Sequence, residues 1–147
     1  MLGSRLVRLI ERHSERLADG LMQKLRNCDR TSEYRTIPQD ELRHATQDIY
    51  HNLGDWLLTK TESDIELHYS WIGARRVEQG VSIAQFVWAI LLAKEHLWAF
   101  LQREGMVETV PQLYSEIELM QMLDLFFDRA VYYAVVGYEH ARQRKAA

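Results

Sequence analysis

The chain has 147 residues, the length of one domain, and 47% of them are apolar, enough to build a core. Its 18 basic and 21 acidic residues leave a net charge of −3, which gives no electrostatic footprint for nucleic acid or an anionic membrane. A single cysteine, Cys28, excludes an internal disulfide, the opening MLGSRLVRLIERHSERL holds no signal-peptide apolar block, and the longest apolar run, Phe86 to Ala93, is too short to span a bilayer, so a cytoplasmic protein is expected.

Apolar residues recur at three and four along the chain and nowhere alternate for long, which predicts helices and no strands. The first helix is expected over about 3–27, with Leu6, Ile10, Leu17, Leu21 and Leu25 on one side. The linker NCDRTSEYRTIPQ leads to a second over about 38–59, with Leu42, Ile49, Leu53 and Trp56 facing inward. A third spans about 63–79, a fourth 82–104 and a fifth 110–144. Ser63 with Glu66, and Ser82 with Gln85, have capping-box spacing. TIPQ at 36–39 and TVPQ at 109–112 repeat one device, a capping threonine followed by a proline in the first turn. Gly80 and Gly105 suit helix C-termini, where a left-handed residue is needed, and the cations of RQRK at 142–145 suit the negative pole of a helix end.

The fifth helix is apolar almost all round. A helix with no polar face must be covered on every side, and four shorter helices cover only part of one about 50 Å long at ~1.5 Å per residue. The remainder predicts a second copy of the chain. Phe86 and Trp98 on the fourth helix, with Phe127, Ala130, Ala134, Gly137 and Ala141 on the fifth, are the expected dimer contact, the small residues lying close to one line that permits close approach.

On the third helix Ile65, Tyr69, Ile72 and Arg76 share one side, so Arg76 points where the apolar residues point. The surrounding stretch, WIGARRVEQGVSIAQF at 71–86, resembles the proximal segment of bacterial sensor globins: Ile72-Gly73, Gly80-Val81 and Phe86 match, Gln79 stands at an apolar position, and Arg76 stands where the iron-binding histidine would be. An always-protonated guanidinium has no lone pair for iron, so the resemblance implies the globin fold without the haem. A wider resemblance covers nearly the whole chain. RRVEQGVSIAQFVWAILLAKEHLWAFL followed by LMQMLDLFFDRAVYYAVVGYEHAR is similar to the N-terminal domain of RsbRD-type RsbT co-antagonists. That resemblance implies an all-α, globin-like, dimeric input domain of five main helices. Such a domain works with a STAS domain, a kinase or an anti-sigma regulator. The sequence ends just after the long helix, which leaves a stand-alone homologue and an excised N-terminal domain both open.

A buried arginine needs a partner. Asp124 and Asp128, one turn apart on the fifth helix, are the expected ones; the plainer reading is that Arg76 packs its stem inward and reaches water. Tyr69, Ile72 and Arg76 would then line a ligand pocket. The stripe of His44, Asp48, His51 and Asp55 has metal-ligand residue types but reads as a solvated face, and Glu41 with His44 supplies one Glu-x-x-His where a di-iron bundle needs two. His68 and His96 are the remaining haem-ligand candidates and read as packed polar residues. No catalytic triad order and no phosphate-cradling loop is present. The reading is a non-enzymatic signal-input domain without cofactor or bound metal, with a haem or small-molecule sensor as the alternative and a small helical metalloenzyme least supported.

Overall fold

The computed structural model describes residues 4–104 and 109–147, and among them there are helices and turns but no strand. The order is α1 (Ser4–Arg12), α2 (Ser14–Asn27), a 3₁₀ segment (Asp29–Thr36), α3 (Gln39–His51), a π-helical turn (Asp55–Thr59), α4 (Glu62–Glu78), α5 (Ile83–Glu104) and α6 (Val110–Ala146). The expected C-cap Gly105 lies outside the described residues.

Two of the expected helices are divided. The first breaks at His13, whose amide is shared between the Leu9 and Ile10 carbonyls at 3.2 Å each, before the ladder resumes from its own carbonyl to Leu17. The break turns the His13 ring onto Phe100, with centroids 5.7 Å apart. The second helix ends at His51 and is followed by one wide turn, closed by Lys60 N–H donating to Asp55 O at 2.7 Å. The Gly54 amide at its start donates to the Glu11 carboxylate at 2.9 Å. The extra residue in that turn swings Trp56 inward against Tyr69 and Phe126.

Helix ends follow hydrogen-bond supply. α4 starts on Thr61 and not on Ser63: Thr61 Oγ1 accepts from the Asp64 amide at 3.2 Å while Asp64 takes the Thr61 amide at 2.8 Å, a complete capping box, its cap Thr61 in place of Ser63. Thr36 does not cap α3; its hydroxyl donates to Glu33 O, and Pro38 itself is the N-cap. Thr109 caps α6 as expected, accepting from the Gln112 amide at 3.3 Å. At α5, Ser82 accepts from the Gln85 amide, but the Gln85 side chain crosses to the 3₁₀ segment and Glu33 returns to Ser82 N and Oγ, so the local box becomes a tertiary link. Gly80, at φ +75°, ends α4: its amide donates to Val77 O and the next amide, of Val81, to Arg76 O. These are the two bonds of a Schellman ending.

α4 and α6 run parallel in close contact, tied by the Glu62–Arg129 pair at one end and by Tyr138 Oη donating to Val81 O at 2.7 Å at the other. Between them Gly73 lies against the backbone of Ala134 and Tyr138, and Gly137 against that of Ser70. A Cβ on Gly73 would come within 2.1 Å of Ala134 O, so these backbones meet only because both positions are glycine. α5 runs antiparallel to α6, from Phe86 stacked near Tyr138 to the Lys94–Asp124 pair at 2.9 Å. The core fills the space among α1, α2, α3, α5 and α6 with Leu6, Ile10, Tyr50, Leu53, Phe100 and Leu123.

Candidate functional site

α3 and α4 run antiparallel across one face, and the pairings Glu41 with Arg75 and Asp48 with His68 mark the two ends of a groove between them. The groove holds about 800 Å³. Asp40, Glu41 and Arg76 lie at one end, His68, Asp48, Trp56, Lys60 and Asp64 at the other, with the exposed Leu67 and Trp71 beside them on α4. Beside it a second, smaller space of about 80 Å³, called the void below, is lined mainly by apolar side chains of α2, α3, α5 and α6, with Tyr34, Tyr69 and Arg76. Ala45, Ile72 and Arg76 border both spaces, so these three form the partition.

Arg76 is 5% exposed. Nη1 donates to Gln79 Oε1 at 2.7 Å, and its nearest carboxylate oxygen, on Glu41, is 3.5 Å away. Glu41 is already engaged: Arg75 grips both its oxygens, at 2.9 and 3.3 Å, and Gln79 Nε2 donates to it at 2.6 Å. The Arg75 guanidinium, first of these, holds the Glu41 carboxyl below its usual range. The Arg76 guanidinium also faces the Tyr34 ring at 5.5 Å, and burial pushes the Tyr34 phenol up to about 12. The two positions at which this stretch departs from the haem-binding pattern, Arg76 and Gln79, are therefore bonded to each other.

The expected partners of Arg76 are corrected. Asp124 and Asp128 are exposed on α6; Asp124 pairs with Lys94, and neither borders the groove or the void. Glu41 takes their place because the turn of α3 brings its first-turn carboxylate over the end of α4. Nothing in a single sequence marks that juxtaposition, although the i,i+3 spacing of Arg76 and Gln79 is visible there.

Tyr69, Ile72 and Arg76 do come together, on the void. His68 packs between Trp56 and Tyr69, tilted against the first and edge-on to the second, with ring centroids 4.9 Å from each, and lies 3.6 Å from Asp48. Burial lowers the His68 pKa against the opposing pull of Asp48. His96 is fixed in the core, its Nε2 bonded to Leu17 O at 3.0 Å, with Gly20 leaving room for the ring. Of the polar stripe, His51 meets Ser14, Asp48 holds Asn52, and His44 is exposed. Among the described residues no group of three or more His, Cys, Asp or Glu is placed to hold a metal ion.

The residues expected at a dimer contact divide. Phe86, Phe127, Ala130, Ala134 and Gly137 are buried within the single chain, and Trp98 and Ala141 are half-buried. At Ala134 and Gly137 the line of small residues on α6 is the bed of α4, so there α4 occupies the place assigned to a second copy. The apolar surface that does remain uncovered on α6 is Val110, Leu113, Tyr114 and Ile117 near its start, with Leu125 and Tyr132 further on. No helix among the described residues is long and apolar enough to cross a membrane.

The family model for the RsbT co-antagonist protein rsbRD N-terminal domain matches residues 15–147. No curated protein and no solved structure matches.

Proposed function

The chain belongs to the RsbT co-antagonist RsbRD N-terminal domain family, and from that membership we propose that it is the non-enzymatic signal-input domain of a bacterial stress-response or two-component pathway. The family is one of signalling domains, and RsbR-type domains meet signalling partners. The finer reading is a globin-like, haem-free input domain in the cytoplasm. It works as a homodimer, and its signal passes along α6 to a STAS domain, a kinase or an anti-sigma regulator.

The observation that carries the dimer is the start of α6. Val110, Leu113, Tyr114 and Ile117 recur at three and four on one side, each at least 43% exposed, a core-type stripe that the described residues leave largely uncovered. Closing that stripe on a two-fold axis buries the same residues in both copies. Light scattering on the purified chain tests it: a dimer is expected at micromolar concentration, and Leu113→Glu with Ile117→Glu yields a folded monomer. A wild-type chain that is monomeric throughout ends the dimer reading. A second reading, a haem or other small-molecule sensor, draws on the groove, whose volume lies within the ~300–1,000 Å³ of ligand sites. Arg76 at the proximal position and a void of only about 80 Å³ beside it speak against haem inside the bundle and leave room for smaller molecules.

A further inference from the structure

Six buried side-chain polar atoms among the described residues lack a hydrogen-bond partner, and four of them, Trp56 Nε1, His68 Nε2, Tyr69 Oη and Arg76 Nε, belong to residues bordering the groove or the void. The indole, phenol and guanidinium atoms carry protons to donate, and the histidine nitrogen does so in one tautomer. Unmet donors in a buried wall cost free energy until an acceptor arrives. The strongest of them is on Arg76. Its side chain is more than nine-tenths buried and borders both spaces, and its one nearby carboxylate is held bidentately by another arginine. A buried cation so weakly neutralised favours an incoming anion.

We propose that the space between α3 and α4 binds a small monocarboxylic acid, its carboxylate on Arg76 Nε and its apolar tail against Ala45 and Ile72. A carboxylate only accepts, which matches a wall of donors, and its two oxygens suit the guanidinium fork. Around the groove Asp40, Glu41, Asp48 and Asp64 outnumber Lys60 and Arg76, which disfavours a polyanion such as a phosphate or nucleotide against a single negative charge. The void sets the tail. At about 80 Å³ it is roughly half of a ~150 Å³ cavity that takes up benzene, so a few carbons enter and the rest lie in the groove over Leu67 and Trp71. Binding draws Arg76 away from Gln79 at the end of α4, the helix bedded on α6, which supplies the input reading with a signal. The ligand class rests on that reading for its purpose, whereas its binding is measured without any partner or output.

The test is titration of the purified full chain with sodium octanoate, followed by calorimetry and by the ¹⁵N shift of the Arg76 Nε–H, with octanol and inorganic phosphate as companions. Saturable one-to-one binding of octanoate is expected, at least tenfold tighter than octanol, with the Arg76 Nε–H resonance moving and phosphate silent. Arg76→Met loses the preference for the acid over the alcohol, and Lys24→Met, which removes an exposed cation away from both spaces, keeps it. Equal binding of octanoate and octanol, an Arg76 resonance that does not respond in wild-type protein, or no saturable binding of octanoate overturns the proposal. The wild-type resonance decides even if the Arg76 variant fails to fold, and a dimer that binds a signalling partner but no octanoate sinks the ligand alone.

Discussion

Adding one methyl at Gly73 forces α4 and α6 apart. The new Cβ would lie 2.1 Å from Ala134 O, and at Gly137 it would lie 2.2 Å from Ser70 O. A tolerable carbon–oxygen contact is ~3.3 Å, so the substitutions ask for roughly 1.2 and 1.1 Å of separation. The obstructing atoms are helix backbone on both sides, so no rotamer change relieves them. A gap of ~1 Å forfeits up to half of each dispersion well along the seam, which puts the strain near the upper end of the ~1–3 kcal/mol seen for overpacking. Replacing a mid-helix glycine by alanine returns about 1 kcal/mol of helix propensity. Gly73→Ala and Gly137→Ala are each expected to lose about 2 kcal/mol net, a fall of roughly 4–8 °C in Tm for a chain of this size. The double variant is the sharper test. Once the helices have parted for one methyl, the second finds its space already open and returns its own helix propensity, so the pair should lose only about 1 kcal/mol, less than either single variant, a coupling near ~3 kcal/mol. Urea unfolding at constant m measures all three. Singles within ~0.5 kcal/mol of wild type, or a double variant that loses the full sum, would refute the close crossing.

Thr61→Ala should cost about 1 kcal/mol by removing the capping box, while Ser63→Ala changes little, a contrast read by thermal unfolding. Arg76→Ala joins the groove to the void but leaves Glu41 held by Arg75 and Gln79, so it should cost about 2 kcal/mol, with Arg76→Met costing less; an Arg76→Ala protein as stable as wild type would place the guanidinium in water. Burial lowers the pKa of both His68 and His96, so the unfolded chain binds more protons than the folded one below the ordinary histidine value of 6.5. Stability is therefore fully present above pH 6.5 and is lost as pH falls below it, and His68→Phe should flatten that loss in chemical denaturation across pH 5–7; an unchanged slope removes His68 from it. Haem added to the protein should give no one-to-one complex with a sharp Soret band, and such a band lost in His68→Ala would restore the haem reading.

The amino-acid pattern by itself determined what is local. Apolar spacing at three and four set an all-helical chain, Gly80 set the end of α4 because the turn there needs positive φ, and Thr109 with Pro111 set the start of α6. It also placed Tyr69, Ile72 and Arg76 on one inward side, since a helix fixes its own faces. What lies between helices was decided only by tertiary packing. Glu41 and not Asp124 meets Arg76, because the approach of α3 to α4 has no counterpart in sequence separation. The breaks at His13 and at Asp55–Thr59 answer to Phe100, Tyr69 and Phe126, residues remote in the chain. The small residues of α6 gave a line able to receive a helix, and the pattern carried no mark of which helix. Gly73 answers that question only when it is set opposite Gly137, because the close approach of two backbones is a property of the pair and is written in neither helix alone.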